Sequence, residues 1–210
     1  MPVDGPQYPV NLIVEGRRCL VVGGGSVALR KVEGLVACRA VVHVVAPAVS
    51  AAIRALPVTF EERPYRAGEV AGYRLIVAAT DSPAVNRAVF DDGEALGVWV
   101  NAADDPASCS FTLPSVVRRG PIMVTVSTGG HSPALASWLK QRFEAELGPE
   151  YEVLLNLVAG VRESVRRAGR STESLDWKRA LDSDMLDLIR AGQISQARER
   201  LQACLSSSSA

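Results

Sequence analysis

Cys19-Leu20-Val21-Val22-Gly23-Gly24-Gly25-Ser26-Val27-Ala28 decides the fold: an apolar strand runs straight into a glycine turn and then into a helix. Gly23-x-Gly25-x-x-Ala28 has the spacing of a dinucleotide-binding turn, with a small alanine at the third position. Each small residue has a physical task. Gly23 permits the tight turn, Gly25 lets the backbone approach a pyrophosphate, and Ala28 lets the helix pack closely on the strand. The helix N-terminus offers free N–H groups and a partial positive charge to phosphates. Gly23, Gly24, Gly25, Ser26 and Val27 are therefore candidate cofactor contacts. Glycine turns also serve as plain strand–helix connectors, so the surrounding chain has to decide.

Outward from this turn, residues 17–110 alternate between strand-like and helix-like segments. Strands are expected at Arg18–Val22, Val41–Val45, Val58–Glu61, Leu75–Ala79 and Val98–Asn101. Helices are expected at Ser26–Ala37, Val49–Leu56 and Ala84–Leu96. Continuous apolar strands separated by helices imply a parallel sheet covered on both faces, an α/β, doubly wound, Rossmann-like domain. Beyond it, Phe111–Val117 and Ile122–Ser127 read as two strands around the turn Arg118-Arg119-Gly120-Pro121. A helix follows from Pro133 to about Leu147, with Ser132 as N-cap and Pro133 at its first position. From Tyr151 onward the pattern is helical: Tyr151–Ala168, Leu175–Ala191 and Ile194–Leu205. The expected division is 1–110 for nucleotide binding, 111–149 for dimerisation and the substrate cleft, and 150–210 as a helical domain.

Composition narrows the function classes. Lys+Arg and Asp+Glu balance at 23 each, so no basic excess argues for nucleic acid or an anionic membrane. No apolar run reaches the ~20 residues needed to span a bilayer. The N-terminus lacks a basic segment followed by an apolar one. The four cysteines are scattered, without a C-x-x-C pair, and no Cys/His cluster has metal-ligand spacing. A cytoplasmic protein with reduced thiols and no metal site is the expectation.

Ligands of an open α/β sheet lie beyond the carboxyl ends of its strands. Three polar segments fall there: the glycine turn, Ala79-Thr80-Asp81-Ser82, and Asn101-Ala102-Ala103-Asp104-Asp105-Pro106. Asp81 reads either as the N-cap of the helix near Pro83 or as a functional acid. No obvious helix follows Asp104 and Asp105, so they read as site carboxylates or as turn formers before Pro106. An acid normally follows the second strand to hold the ribose, but here that strand ends Val44-Val45-Ala46-Pro47, which leaves NAD versus NADP open. A second glycine segment, Ser127-Thr128-Gly129-Gly130-His131-Ser132, opens a helix and can bind an anion or simply cap it. His131 can transfer a proton, whereas His43 alternates within a strand and reads as structural. Arg118 and Arg119 read as solvated turn residues, though both can pair with carboxylates.

Several ordered stretches together resemble one family, the precorrin-2 dehydrogenase module of siroheme synthesis. They are Pro9-Val10-Asn11-Leu12, Gly16-Arg17 through Lys31, Val44–Pro47, Val77–Asp81 with Asn86, and Val100-Asn101-x-x-Asp104. Cys109-x-Phe111, Pro114, Arg119-Gly120-Pro121 and Val126 through Ala136 complete the set, covering about residues 9–150. The resemblance implies NAD-dependent oxidation of precorrin-2 to sirohydrochlorin by a homodimer. It implies Asp104 as general acid/base, and cofactor contacts from Gly23–Val27, Ala46, Pro47, Thr80, Asp81 and Asn101. It also implies a tetrapyrrole site along Ser127–Ser132. Some members of the family also insert iron, and these residues do not separate the two cases. No room remains for a methyltransferase domain, so uroporphyrinogen methylation is expected of another protein. A competing class is an NAD(H)-sensing module whose helical tail signals to a partner.

Overall fold

The computed structural model describes residues 5–206 apart from Asp104 and Ser174. The chain divides into two compact units. One runs through Leu113 and takes in Thr128–Ser132; the other comprises Pro114–Ser127 and continues from Pro133.

The first unit holds β1 (Arg18–Val22), α1 (Ser26–Ala37), β2 (Val41–Ala46), α2 (Ala51–Arg54), β3 (Thr59–Glu62), β4 (Leu75–Ala78), α3 (Pro83–Leu96) and β5 (Trp99–Ala102). The strands form one sheet in the order β3-β2-β1-β4-β5, and every pairing is parallel. Successive β1 residues point to opposite faces, and both faces are covered. Cys19 and Val21 pack with Ala28, Val32 and Ile53 on one side. Leu20 and Val22 pack with Ile76, Val89 and Val100 on the other. Double burial is the reason these strands read as unbroken apolar runs. Each fully buried Leu or Ile contributes about 1.5–3 kcal/mol relative to exposure. β3 is an exposed edge strand, where Glu61 and Glu62 place charge that discourages pairing with another chain. Because β2 and β3 lie on one side of β1 and β4 and β5 on the other, the order reverses between β1 and β4. A crevice opens at the carboxyl ends of such a switch point.

The second unit begins with the antiparallel hairpin β6 (Ser115–Arg119) and β7 (Ile122–Val126), followed by α4 (Pro133–Glu146). Arg119 pairs with Ile122, so the loop is Gly120-Pro121, with Gly120 at φ +51. Arg119 is not the solvated turn residue expected: its Nε and Nη2 donate to the Leu147 and Glu144 carbonyls at 2.6 and 3.1 Å. Those carbonyls at the end of α4 have no helical donors, and a cation suits that end of the dipole. α5 (Glu150–Arg167), α6 (Trp177–Leu181), α7 (Met185–Arg190) and α8 (Ile194–Ser206) enclose a separate core around Leu157, Met185, Ile189 and Leu201.

Two expected elements differ. The strand expected from Phe111 begins at Ser115, because the Phe111 carbonyl accepts from the Asn101 amide and Pro114 lacks a donor. The single helix expected over Leu175–Ala191 is two, α6 and α7. The Ser183 hydroxyl donates to the Ala180 carbonyl at 2.6 Å, and Arg200 holds Asp184 at 3.1 Å. Short polar side chains compete with the helical ladder in this way.

Candidate functional site

A cleft of about 820 Å³ opens at the switch point and is walled by three loops: Gly23–Val27, Ala46–Ser50 and Ala79–Ser82. Apolar periodicity builds the strands that aim these loops, and small residues let the loops meet. Gly23 stands at φ +130, and a Cβ there would overlap the Ala79 carbonyl. Its N–H donates to the Val45 carbonyl at 2.9 Å, tying the turn to β2. A Cβ on Gly24 would overlap the Ala48 carbonyl, while the Ser50 N–H donates to Gly24 at 3.0 Å. The fingerprint treats Gly24 as variable, so this close approach was not legible in the motif. Gly25 differs: apart from its own neighbours along the chain, no atom of the described residues lies within 4 Å of where its Cβ would stand. It faces the open cleft as the N-cap of α1, whose first turn carries no acid. The first helical amides have no intrahelical acceptor, so this mouth suits a pyrophosphate. The residues fit a dinucleotide.

The β2 loop resolves the missing acid. Glu62, from the end of β3, accepts from the Val49 N–H at 3.1 Å and from Arg54 Nη2 at 2.6 Å. Arg54 Nε donates to the Val49 carbonyl at 3.0 Å. The acid and cation nearest this loop neutralise each other. Among the described residues, those lining the cleft include no Lys, Arg or His, and Asp81 is their one formal charge.

On the opposite wall Thr80 is locked by Asn86, which is buried. The Thr80 N–H and hydroxyl donate to Asn86 Oδ1 at 3.2 and 2.7 Å, and Asn86 Nδ2 returns a bond to the Thr80 carbonyl at 3.0 Å. Asp81 does not cap α3. The cap is Ser82, whose Oγ accepts from the Val85 N–H at 3.4 Å, immediately ahead of Pro83. A serine followed by proline was the available signal. The Asp81 carboxylate is left exposed on the cleft wall.

At the end of β5 the expected residues separate. Asn101 does not line the cleft; it is buried, and its Nδ2 donates to the Phe111 carbonyl at 2.9 Å. Asp104 lies outside the described residues, while Ala103 before it lines the cleft. A short 3₁₀ turn, Pro106–Ser108, does follow Asp105, whose carboxylate accepts from the Ser108 hydroxyl at 2.6 Å. Asp105 is thus a turn former, against the expectation that no helical turn follows it. His43, read as structural, is held by Thr59 and Glu61 at 2.8 and 3.3 Å.

Thr128–Ser132 is a tight turn of the first unit. The Thr128 carbonyl accepts from the His131 N–H at 3.0 Å, and Thr128 Oγ1 from the Ser132 N–H at 3.1 Å. Gly129 and Gly130 take φ +60 and +82 there. His131 is exposed, and α4 starts at Pro133 as its sequence predicts. Ser127 belongs to the second unit. Among the described residues no group of three or more His, Cys, Asp and Glu can hold a metal, and no helix is long and apolar enough to cross a membrane.

Comparison with known proteins places these features. A family model described as "Putative NAD(P)-binding" matches residues 10–115, and one described as "Sirohaem biosynthesis protein central" matches 119–146. A siroheme synthase of Nitrosomonas europaea is 36% identical over 207 residues, 95% of this chain and 44% of that protein. A siroheme synthase of Thioalkalivibrio sulfidiphilus is 38% identical over 204 residues, 94% of this chain and 42% of that protein. The chain therefore spans less than half the length of these relatives. The solved structure of SirC, a precorrin-2 dehydrogenase, superposes with TM-score 0.69 at 25% identity, covering 94% of this chain and 98% of SirC. The glycine cradle, the parallel switch-point sheet and the match over residues 10–115 agree: this chain belongs to the NAD(P)-binding family that the first model describes.

Proposed function

We propose that this chain is an NAD-dependent precorrin-2 dehydrogenase, which oxidises precorrin-2 to sirohydrochlorin in siroheme biosynthesis. The observation that carries the reading is the glycine-walled cleft at the β1/β4 switch point, shaped for a pyrophosphate. Similarity to SirC along nearly its whole length supports the substrate. Bound NAD supplies the hydride acceptor. The chain's own work is to bind, orient and move a proton. Gly23–Val27 hold the pyrophosphate, while Ala46, Pro47, Thr80 and Asp81 border the remainder of the dinucleotide. Asp104 takes the proton released as the substrate loses hydride, two electrons in all.

Precorrin-2 is a polycarboxylate, so its side chains call for donors. In this reading Ser127, Thr128, Gly129, Gly130, His131 and Ser132 supply hydroxyl, imidazole and backbone N–H groups to them. The internal hydrogen bonds of the Thr128–Ser132 turn support that role by presetting two glycines at positive φ. The enzyme acts as a homodimer in the cytoplasm. Support for the dimer comes from α4, which exposes Leu135 and Trp138 at 47% and 52%.

The test is anaerobic: purified chain, enzymatically generated precorrin-2 and NAD, followed by visible absorbance and NADH formation. NAD-dependent appearance of sirohydrochlorin is expected, and its absence with NAD bound would return the weight to a sensor. Asp104→Asn is expected to keep NAD binding and lose turnover. Unchanged turnover in that variant removes Asp104 from the mechanism.

A further inference from the structure

We infer that Arg17, Arg18 and Arg74 form a second ligand site, at the end of the sheet opposite the dinucleotide cleft, for a small oxyanion carrying two or more negative charges. The inference does not rest on the function proposed above. A hollow of about 380 Å³ is lined by Gly16, Arg17, Arg18, Gly72, Tyr73 and Arg74, and it shares no residue with the cleft. Its volume lies near the lower end of the range for small-molecule sites. Arg18 opens β1, and Arg74 immediately precedes β4. These two strands are adjacent and parallel, so their starts lie side by side, and the Arg74 N–H donates to the Arg18 carbonyl at 2.8 Å. The Arg17 carbonyl accepts from the Val41 N–H at 2.9 Å. The sheet ladder thus fixes where all three side chains leave the backbone. The glycine turn follows the other end of β1, roughly 15 Å away for a strand rising about 3.3 Å per residue.

Three guanidinium groups around one hollow repel one another unless negative charge offsets them. Elsewhere this chain supplies carboxylates. Arg39 pairs with Glu15 at 3.0 Å, Arg54 with Glu62 at 2.6 Å, and Arg63 with Glu61 and Glu69 at 2.6 Å each. Among the described residues, Arg17, Arg18 and Arg74 make no ion pair and no side-chain hydrogen bond. Arg18 nevertheless has a set place. Its guanidinium carbon lies 4.6 Å from the centroid of the Tyr73 ring, and that ring stacks on His43 at 6.3 Å. Gly72, at φ +80, keeps side-chain bulk from the same guanidinium, since a Cβ there would stand 3.5 Å from Arg18 Nη1. A guanidinium stacked by its face keeps its N–H donors at the edge, in a fork that matches phosphate and carboxylate oxygens. Three such cations call for more than one negative charge. A diphosphate and a tricarboxylate both meet that need.

Three separately solvated arginines are the competing explanation, and they would select no anion. Calorimetric titration of the full chain with pyrophosphate and with citrate separates the two, at ionic strength held constant with chloride. Saturating NAD keeps the probes out of the glycine cleft. Arg17→Gln, Arg18→Gln and Arg74→Gln are each expected to weaken the bound probe by about 10-fold or more, the loss of one charge-assisted hydrogen bond. Arg166→Gln, which removes the same charge from the exposed side of α5, is expected to change it by less than about twofold. NAD affinity is expected to be unchanged in all four variants. If Arg18→Gln does not fold without its ring contact, Arg17→Gln and Arg74→Gln carry the test. Binding of pyrophosphate alone assigns a phosphate ligand, binding of citrate alone a polycarboxylate, and binding of both the shared oxyanion chemistry. Affinity for both probes no tighter than about 1 mM overturns the site. Unchanged binding in Arg17→Gln and Arg74→Gln, or equal weakening in Arg166→Gln, overturns it as well. If NAD does not bind, the function proposed above falls, and the arginine variants alone locate the anion.

Discussion

Gly24 and Gly25 are adjacent, yet their missing side chains do different work. A methyl at Gly24 meets the Ala48 carbonyl, whereas one at Gly25 meets only the open cleft. Gly24→Ala is expected to cost about 1–3 kcal/mol of stability through overpacking, read by urea denaturation. Gly25→Ala is expected to leave stability within about 0.5 kcal/mol and to weaken NAD binding, read by fluorescence titration. Equal stability losses would remove the distinction. Cys19 is fully buried, and burial pushes its thiol up to about 11 from the usual 9.0. Below pH 9 the folded and unfolded chains both hold the proton. Above it the unfolded chain releases the proton first, so stability from this group falls as pH climbs towards 11, by on the order of 2 kcal/mol. Chemical denaturation across that window, compared with Cys19→Ala, reads the slope. At this scale the glycine fingerprint was legible in the sequence. The contact at Gly24 was not, because Ala48 arrives from another strand's loop.

Elements were read well where their signals are local. The bounds of β1 and α1 follow from an apolar run, a glycine turn and a 12-residue amphipathic stretch. Helix starts proved harder, as α3 shows: Asp81 and Ser82 both have capping chemistry, and it is the Ser82 hydroxyl that accepts from the Val85 N–H. Ser82→Ala is expected to destabilise the first unit by about 1 kcal/mol, whereas Asp81→Asn changes stability by less than about 0.5 kcal/mol. Thermal or urea melts of the two variants decide it, and equal effects would reinstate Asp81 as a cap. The split between α6 and α7 depended on Ser183 turning back to its own helix and Asp184 meeting Arg200 from α8. Apolar periodicity runs through that break without registering it.

Among the described residues one apolar cluster covers each face of the sheet, and a third lies among α5–α8. Leu201 is fully buried in the helical core. Leu201→Ala is expected to cost the helical unit about 2–5 kcal/mol while NAD affinity is retained. Calorimetry with and without NAD reads both quantities. Saturating NAD, at about 100 times its Kd, adds about 2.7 kcal/mol to whatever unfolds together with the sheet. Loss of NAD binding in Leu201→Ala would contradict separate cores.

By itself the sequence determined the parallel sheet, the place of the nucleotide turn at its first strand–helix junction and the helical character of the C-terminal part. Those properties follow from residue spacing: unbroken apolar strands need two covered faces, and a Gly-x-Gly turn needs a helix to follow. Only the tertiary structure decided which polar groups are committed elsewhere. Asn101 turns inward to Phe111, Arg119 closes the end of α4, and Glu62 crosses from β3 to neutralise Arg54 beneath the β2 loop. Hydrogen bonds between residues far apart along the chain leave no period in it, because the partner is chosen by strand order and loop direction rather than by sequence distance.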